Sequence, residues 1–261
     1  MQVSTTLMGG LGNRLFQIAM GLGYAARNPG YEYVIAENQV WEYNPGQQGD
    51  HSYFIRDIKT VKENPSIFIK EDGNDSGRFV QHPNYGQNVH FHGYFQTEKY
   101  FEGIWHKLHY QFDAPDTIRE YLFLKYPELH NGAFLHVRRG DFVNNAFHYI
   151  DLSNYYKYCL SQFSNDTFIF ICSDDVEWCK KCDWFDTPHP KIFVQENEKI
   201  TLWLMTMCKK GGICANSTFS WWGGWLNKGI NKKIFYPSRM FNNDNMNIQD
   251  YIPSGFTVID V

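Results

Sequence analysis

Residues 133–142 read Ala-Phe-Leu-His-Val-Arg-Arg-Gly-Asp-Phe, an apolar run that ends abruptly in two cations, a glycine and an acid. Such a run is typical of a buried strand in a parallel sheet, and it would deliver Arg138 and Arg139 to the edge of that sheet. Two guanidinium groups there predict a clamp for a phosphate or pyrophosphate, because their donor forks match anionic oxygens bidentately. Gly140 would allow a sharp turn and a close ligand approach, and Asp141 would pin one arginine so that the other faces the ligand. The alternative is an ordinary surface Arg-Asp pair.

Strand-like and helix-like patterns alternate on both sides of this stretch. Near the start, residues 2–8 predict a strand, 9–13 a glycine turn, 14–27 a helix and 33–36 a second strand, which together make a βαβ unit. The glycines could offer backbone N–H groups to an anion, or they could simply allow a tight turn.

The second half repeats the alternation. Its predicted strands are 133–137, 168–172, 191–194, 212–215 and 233–236, and its helices are 154–160, 200–210 and one opened by 216–222. We therefore predict an α/β protein of two Rossmann-like domains facing a central cleft, with an N-terminal domain at 1–129 and a C-terminal domain at 130–261.

Other polar clusters also follow strands of the second half. Asp174 and Asp175 come after one strand, and Ser217, Thr218 and Ser220 come after another. Ligands of open α/β sheets bind at strand carboxyl ends, so these groups and the arginines describe a nucleoside diphosphate site. The hydroxyls would hold phosphate oxygens, unless they only cap a helix, and the aspartates would accept from ribose or sugar hydroxyls, unless they form a solvated turn. A metal site would need a third ligand that the sequence does not place nearby, which favours a reaction without metal.

Composition narrows the class of protein. The chain has 261 residues, 43% of them hydrophobic, so a large core is available and disorder is disfavoured. A net charge of −4 without a basic tract disfavours nucleic-acid binding. No apolar run reaches the about 20 residues of a spanning helix, although association with a membrane surface stays open. Cys179 and Cys182 form a CxxC without further metal ligands, so we expect reduced thiols and a cytoplasmic protein.

Four segments, taken together and in order, resemble the α-1,2-fucosyltransferases of glycosyltransferase family 11. They are GGLGNRLFQ (9–17), GYFQTEKYF (93–101), HVRRGD (136–141) and ANSTFSWWG (215–223). The resemblance spans nearly the whole chain, and the four segments are far more specific than HxRRxD alone, which also marks α-1,6-fucosyltransferases. It implies a GT-B fold and inverting transfer of L-fucose from GDP-L-fucose to the 2-hydroxyl of a terminal β-galactoside. In such a fold the N-terminal domain, 1–129, would be the acceptor side, and the C-terminal domain, 130–261, would be the nucleotide-sugar donor domain. It implies no required metal and no cofactor.

The resemblance also implies roles for residues of this chain. Arg138 would bind the β-phosphate, Asp141 would brace the arginine loop, and Asn13 would reach the fucosyl-phosphate; these three are the expected catalytic residues. The expected donor-binding residues are Gly12, His136, Arg139, Asp174, Asp175, Ser217, Thr218, Phe219 and Ser220.

Two positions depart from the family pattern. Thr201 stands where an aspartate that reads guanine is often found, and Glu198 is a candidate substitute. Arg14 stands where glutamine is usual, which predicts altered contacts with the acceptor.

The implied chemistry accounts for the arginines. Departure of GDP builds negative charge on the β-phosphate, and losing one preorganised donor to such charge typically costs about 3–4 kcal/mol. A strong base is not required if bond cleavage leads, and the sequence leaves Asp141, His148 and Asp151 as equal candidates. The rivals are another nucleotide-sugar transferase of this fold and, less favoured, a non-catalytic glycan-binding module, which would not need paired arginines.

Overall fold

The computed structural model describes residues 1–37, 51–63 and 67–261. Within them the chain forms two parallel sheets with helices. The strands are β1 Gln2–Thr5, β2 Glu32–Ala36, β3 Lys59–Val61, β4 Ile67–Lys70, β5 Val89–His92, β6 Gly132–Val137, β7 Phe168–Ser173, β8 Lys191–Phe193, β9 Gly211–Ile213, β10 Lys233–Pro237 and β11 Thr257–Ile259. The helices are α1 Leu11–Arg27, α2 Trp105–Phe112, α3 Asp116–Lys125, α4 Ser153–Leu160, α5 Val176–Cys179, α6 Glu198–Met207 and α7 Thr218–Trp225.

The strand orders are those of two open sheets. The first sheet runs β3-β2-β1-β5-β4 and the second runs β11-β10-β9-β6-β7-β8, with every described pairing parallel. The predicted α/β class is confirmed. No described helix has both the length and the apolar character needed to cross a bilayer.

The chain divides into two compact units. The first contains residues 1–113 and 245–253, and the second contains 114–244 and 254–261. The sequence predicts a boundary at 129/130, whereas α3 and the turn after it belong to the second unit. The reason is local packing, since Tyr126 meets Phe170 edge to face at 5.9 Å and the Lys209 amide donates to the Leu129 carbonyl over 3.1 Å.

The centre of the second sheet is the apolar run quoted first. Every residue of β6 is buried, and so are four of the six in β7. In the register of these strands His136 lies opposite Cys172 and Val137 opposite Ser173, so β6 and β7 end side by side. That register places the residues after each strand at one edge of the sheet.

Helix α1 is the buried helix of the first unit, and it begins three residues earlier than predicted. Gly10 is its N-cap residue, so Gly12 and Asn13 lie in the first turn of the helix rather than in a loop before it. Gly23 of α1 permits close packing, because a Cβ there would lie 2.1 Å from the carbonyl oxygen of Tyr100. Strand β11 and helices α2 and α5 are absent from the sequence prediction. Strands β3 and β4 lie in residues 37–90, which the sequence predicts only as loops and short strands without bounds.

Candidate functional site

Arg138 follows β6 directly and is fixed between two carboxylates. Its Nη2 donates to Asp141 Oδ1 over 2.6 Å, and its Nη1 lies 3.0 Å from Asp174 Oδ2. The side chain of Arg138 is 32% exposed, and that of Asp141 is 67% exposed. The guanidinium therefore keeps one orientation while part of its surface stays open to a ligand.

Arg139 is held differently, by a ring as well as by a charge. Its guanidinium carbon lies 3.6 Å from the centre of the Trp178 ring, and its Nε donates to Asp175 Oδ2 over 3.1 Å. Its backbone N–H donates to Asp174 Oδ1 over 2.9 Å. The cation–π contact with Trp178 helps to fix the guanidinium of Arg139. Both arginines are therefore preorganised, Arg138 by its two carboxylates and Arg139 by the ring and Asp175.

The two aspartates after β7 are thus braces for the arginines. Asp174 bonds to both arginines, and Asp175 also caps α5 by accepting from the Trp178 amide over 3.1 Å. Gly140 makes room for this arrangement, because a Cβ there would come within 2.5 Å of Asp174 Oδ2. We call Arg138, Arg139, Asp141, Asp174 and Asp175 the arginine network.

His136 lies just before the network, on β6. It is 4% exposed, and its Nδ1 has no hydrogen-bond partner among the described residues. Its ring centre lies 5.4 Å from that of Phe219. Burial, with a smaller contribution from the charge of Arg138, lowers the pKa of His136 to about 3, so the imidazole is neutral at working pH.

The turn between β9 and α7 contains the predicted hydroxyl cluster. Ser217 is the N-cap residue of α7 and accepts from the Phe219 amide over 3.3 Å. Ser220 is fully buried, where its Oγ accepts from the Ala215 amide over 3.2 Å and lies near the carbonyls of its own turn. Thr218 is also buried. The hydroxyl of Ser217 therefore caps α7, and the hydroxyl of Ser220 is used for a hydrogen bond inside the turn.

A recess opens beside the arginine network within the second unit. Side chains from the loop after β6, from the start of α4 and from α5 line it, among them Arg138, Arg139, Tyr149, Asp151 and Trp178. The ordered network and this recess give the second unit a concave surface that carries fixed cations.

The three candidate bases differ in their surroundings. Asp141 is paired with Arg138, and Asp151 accepts from the amide and hydroxyl of Ser153, bonds that lower its pKa. His148 stacks on Phe142, with ring centres 4.6 Å apart, and burial lowers its pKa, so its imidazole is neutral.

Gly12 and Asn13 belong to the first unit, at the carboxyl end of β1. Asn13 is half-buried, and its Oδ1 accepts from Nε2 of Gln96 over 2.9 Å. Gly9 has φ +75°, and a Cβ there would lie 2.5 Å from Asn13 Nδ2. The glycine turn therefore fits closely around the Asn13 amide.

Glu71 holds the neighbouring segment of the first unit. It follows β4, and its carboxylate accepts from the amides of Tyr94 and Phe95 over 2.6 and 3.1 Å. Phe95 has φ 51°, a conformation that non-glycine residues rarely adopt. Burial raises the pKa of Glu71 to about 7. Neither Glu71 nor Gln96 has a role predicted from the sequence, although Gln96 lies within the GYFQTEKYF segment.

The residues at the two positions that depart from the family pattern, Thr201 and Arg14, each form a hydrogen bond within their own unit. Thr201 Oγ1 donates to the Glu196 carbonyl over 3.3 Å, and Glu198 is the first residue of α6. Arg14 is buried, and its Nε donates to the Gly9 carbonyl over 3.1 Å, which ties the glycine turn to α1.

Comparison with known proteins agrees with this architecture. The family model for glycosyl transferase family 11 matches residues 75–250. An alpha-1,2-colitosyltransferase of Escherichia coli is 28% identical over 297 residues, covering 99% of each chain. The O-antigen biosynthesis glycosyltransferase WbnK of Escherichia coli is 33% identical over 127 residues, covering 44% of this chain and 41% of its own.

Among solved structures, the fucosyltransferase NodZ from Bradyrhizobium superposes with a TM-score of 0.51 at 14% identity, covering 85% of this chain and 92% of its own. The crystal structure of NodZ alpha-1,6-fucosyltransferase co-crystallized with GDP gives a TM-score of 0.50 at 14% identity, with coverage of 85% and 91%. These likenesses are likenesses of fold.

Two parallel α/β units, with fixed arginines at a strand end of the second, define a glycosyltransferase with a GT-B-like fold. The chain belongs to glycosyl transferase family 11, as the resemblance of its four segments predicts.

Proposed function

We propose that the protein is an inverting glycosyltransferase that moves L-fucose from GDP-L-fucose to the 2-hydroxyl of a terminal β-galactoside. The observation that carries the proposal is Arg138, a cation at a strand carboxyl end whose orientation is set by two carboxylates. Membership of family 11 and a relative named for α-1,2 transfer support the linkage.

Arg138 would stabilise the negative charge that forms on the β-phosphate when the bond between the anomeric carbon of the sugar and the β-phosphate oxygen breaks. The donor diphosphate would displace the exposed Asp141 from Nη2, while Asp174 keeps the guanidinium in place through Nη1. Because this guanidinium is oriented before the substrate arrives, little reorganisation is needed when the charge develops. Arg139, stacked on Trp178, would hold the loop and contribute positive potential.

Neutral groups complete the proposed donor site. His136 is uncharged, so it does not repel the arginines and can exchange one hydrogen bond with the nucleotide through Nδ1. The amides and hydroxyls at the start of α7, including Ser217 and Thr218, would face phosphate oxygens. We propose that the reaction needs no metal and no cofactor.

The acceptor 2-hydroxyl loses its proton late if cleavage of the donor bond leads the reaction. Among the three candidate bases, Asp141 is paired with Arg138, and the pKa of Asp151 is lowered from the already low value of an aspartate. The pKa of His148 is also lowered, but from the higher value of a histidine, and its ring is outside the ion pairs. A neutral imidazole can accept a proton, so His148 is the strongest of the three.

A second candidate activity is transfer of colitose, because a relative that matches the whole chain is named a colitosyltransferase. Colitose is the 3-deoxy form of L-fucose, so the two donors differ by one sugar hydroxyl. The same diphosphate site would serve both.

The test combines donor choice, acceptor choice and product linkage. The protein is incubated with GDP-L-fucose or GDP-colitose and a panel of β-galactosides, and the linkage of each product is determined by NMR. We expect an α-1,2-linked product from GDP-L-fucose; a product only from GDP-colitose would establish the second activity. Thermal shift with GDP, UDP and galactosides separates the remaining classes, because stabilisation by galactosides but by no nucleotide would identify a glycan-binding module.

We also propose that the protein works in the cytoplasm. None of the six cysteines, all of which lie within the described residues, forms a disulfide, and five of them are buried. Free thiols persist most readily in a reducing compartment.

A further inference from the structure

Gln96 has a buried acceptor without a partner. Its side chain is 5% exposed, its backbone N–H donates to the Ser76 carbonyl over 2.7 Å, and its Nε2 donates to Asn13 Oδ1 over 2.9 Å. Its Oε1 is buried and has no hydrogen-bond partner among the described residues. A buried carbonyl oxygen in this state costs stability, and such atoms are rare in native proteins.

A second buried glutamine of the same unit shows that the fold can satisfy this side chain fully. Gln17 accepts from the Met8 amide through Oε1 over 2.9 Å and donates from Nε2 to the Gly93 carbonyl over 3.1 Å. Both ends of that amide are therefore used, and Gln17 joins the glycine turn to the segment after β5. Gln96, three residues beyond Gly93, differs because its Oε1 has no hydrogen-bond partner among the described residues.

The surroundings of Gln96 fix its position. Glu71 accepts from two consecutive amides just before it, and Phe95 is held at φ 51°. A strained backbone persists only where its surroundings impose it, and strain of this kind clusters at ligand sites. The unpaired Oε1 is therefore presented in a set direction beside Asn13.

We propose that Gln96 Oε1 accepts a hydrogen bond from a sugar hydroxyl, while Asn13 Nδ2 donates to that hydroxyl or to its neighbour. Among the described residues, Asn13 uses its oxygen for Gln96, so its nitrogen remains to meet a ligand. An amide oxygen is an acceptor without a donor hydrogen, so it suits a neutral hydroxyl and would repel a phosphate oxygen. The inference rests on the proposed function and gives the first unit the task of orienting the sugar.

The sugar could be the fucosyl ring of the donor or the galactoside acceptor, and kinetics distinguish the two. The experiment uses Gln96→Met, which keeps the size of the side chain but removes both polar ends, and Gln96→Glu, which keeps acceptor oxygens. Gln17→Met is the matched control. KM is measured for each substrate with the other saturating, together with kcat, GDP-sugar hydrolysis without acceptor, and Tm.

We expect Gln96→Met to lower kcat/KM about tenfold or more, with Tm within about 2 °C of the wild type, because it loses one bond but removes an unpaired acceptor. Gln96→Glu should recover part of the activity. A higher KM for the galactoside alone assigns the hydroxyl to the acceptor, and a higher KM for GDP-fucose with slower donor hydrolysis assigns it to the fucosyl ring. Gln17→Met should instead lower Tm by about 5 °C or more, since it leaves the Met8 amide and the Gly93 carbonyl unpaired.

Two results would overturn the inference, and they are distinguishable. Wild-type kinetics in a folded Gln96→Met would overturn it alone, leaving the proposed transfer intact. A wild-type protein that transfers neither sugar to any galactoside would overturn the proposed function and the inference together.

Discussion

The two units present polar side chains at the carboxyl ends of their sheets in opposite ways. In the second unit the arginine network is charged and solvent-facing, and each arginine has a carboxylate partner. In the first unit, Asn13 and Gln96 form a neutral pair of amides, and one of their acceptors is buried without a partner among the described residues.

Each arrangement suits a different kind of ligand. Carboxylate partners fix a guanidinium before an anion arrives, and an exposed partner such as Asp141 can be replaced by phosphate oxygens. A neutral amide pair offers one acceptor and one donor with fixed directions, which matches a sugar hydroxyl rather than an anion. In the proposed function, the second unit would therefore recognise the diphosphate and the first unit would orient the sugar.

The strongest test of the charged side is Arg138→Ala. Removing the cation that meets the leaving phosphate should lower kcat by about 100-fold or more, because one preorganised donor to developing charge has an effect of that size. Arg138→Lys should rescue poorly, since an ammonium cannot form the bidentate fork. Steady-state kinetics with GDP-fucose measure both.

Arg119→Ala is the matched control for Arg138→Ala. Arg119 also pairs with an aspartate three residues away, Asp116, on the surface of α3. An exposed pair of this kind contributes about 1 kcal/mol or less to stability, so the control should keep its activity. Equal activity of the two variants would contradict the role of Arg138.

The neutral side is tested by Asn13→Ala. Gly10 and not Asn13 is the N-cap residue of α1, so alanine at this position should not weaken the start of the helix. It does remove the acceptor of the buried Gln96 Nε2, so we expect Tm to fall by about 5 °C or less. We expect kcat/KM to fall about tenfold or more, because two substrate contacts or their geometry are lost. The kinetics and a thermal melt are measured on the same preparation.

Asn28→Ala is the matched control, because it also removes a side-chain hydrogen bond at α1 but no proposed substrate contact. Asn28 is the C-cap residue of α1, and its Nδ2 donates to the Tyr24 carbonyl over 2.9 Å. Its loss should lower stability by about 1 kcal/mol while kcat stays unchanged. A folded Asn13→Ala that transfers sugar at the wild-type rate would make Asn13 a structural residue.

More of the structure of the second unit than of the first could be predicted from the sequence. The run 133–137 is apolar throughout and ends in charges, so its strand and the position of Arg138 follow from the pattern alone. The roles of Asp174 and Asp175 do not follow, because nothing in the sequence shows that β6 and β7 end side by side. Only that register lets Asp174 reach both arginines.

Much of the first unit could not be predicted from the sequence, for physical reasons. Strand β4 is short and its side chains alternate between half-buried and exposed, so residues 67–70 carry a weak strand signal and Glu71 reads as part of a loop. Gln96 stands in a quoted motif, but an unpaired acceptor is a property of three-dimensional packing. The proximity of Gln96 to Asn13, 83 positions earlier, is likewise set by the pairing of β1 with β5.

The role of Glu71 in the first unit is tested by the pH dependence of stability in Glu71→Gln. Burial raises the pKa of Glu71 from 4.5 to about 7, so between these values the folded state binds more protons than the unfolded state. The free energy of unfolding of the wild type should therefore fall as pH rises from about 4.5 to about 7, with a contribution from Glu71 of up to about 3 kcal/mol. Above about pH 7 the contribution of Glu71 should no longer change.

The glutamine does not ionise, so Glu71→Gln should lose less stability than the wild type between about pH 5 and about pH 8. Urea unfolding of both proteins at the two pH values gives the difference directly. Parallel pH profiles of the two proteins would show that the Glu71 carboxylate is not perturbed. In that case a buried carboxylate would not be what holds the segment before Gln96.

The smallest expected effect is that of a chelator, and it tests whether the arginines are the charge partners of the diphosphate. Across residues 1–37, 51–63 and 67–261, no three His, Cys, Asp or Glu side chains are grouped so that they could hold a metal ion. The carboxylates of Asp141, Asp174 and Asp175 are engaged by the arginines instead. We therefore expect kcat and KM to be unchanged in excess EDTA, measured with GDP-fucose after removal of divalent ions. Activity that disappears in EDTA and returns with Mn²⁺ or Mg²⁺ would mean that these aspartates exchange arginine for metal when the donor binds. The arginine network would then be a resting state rather than the preorganised site.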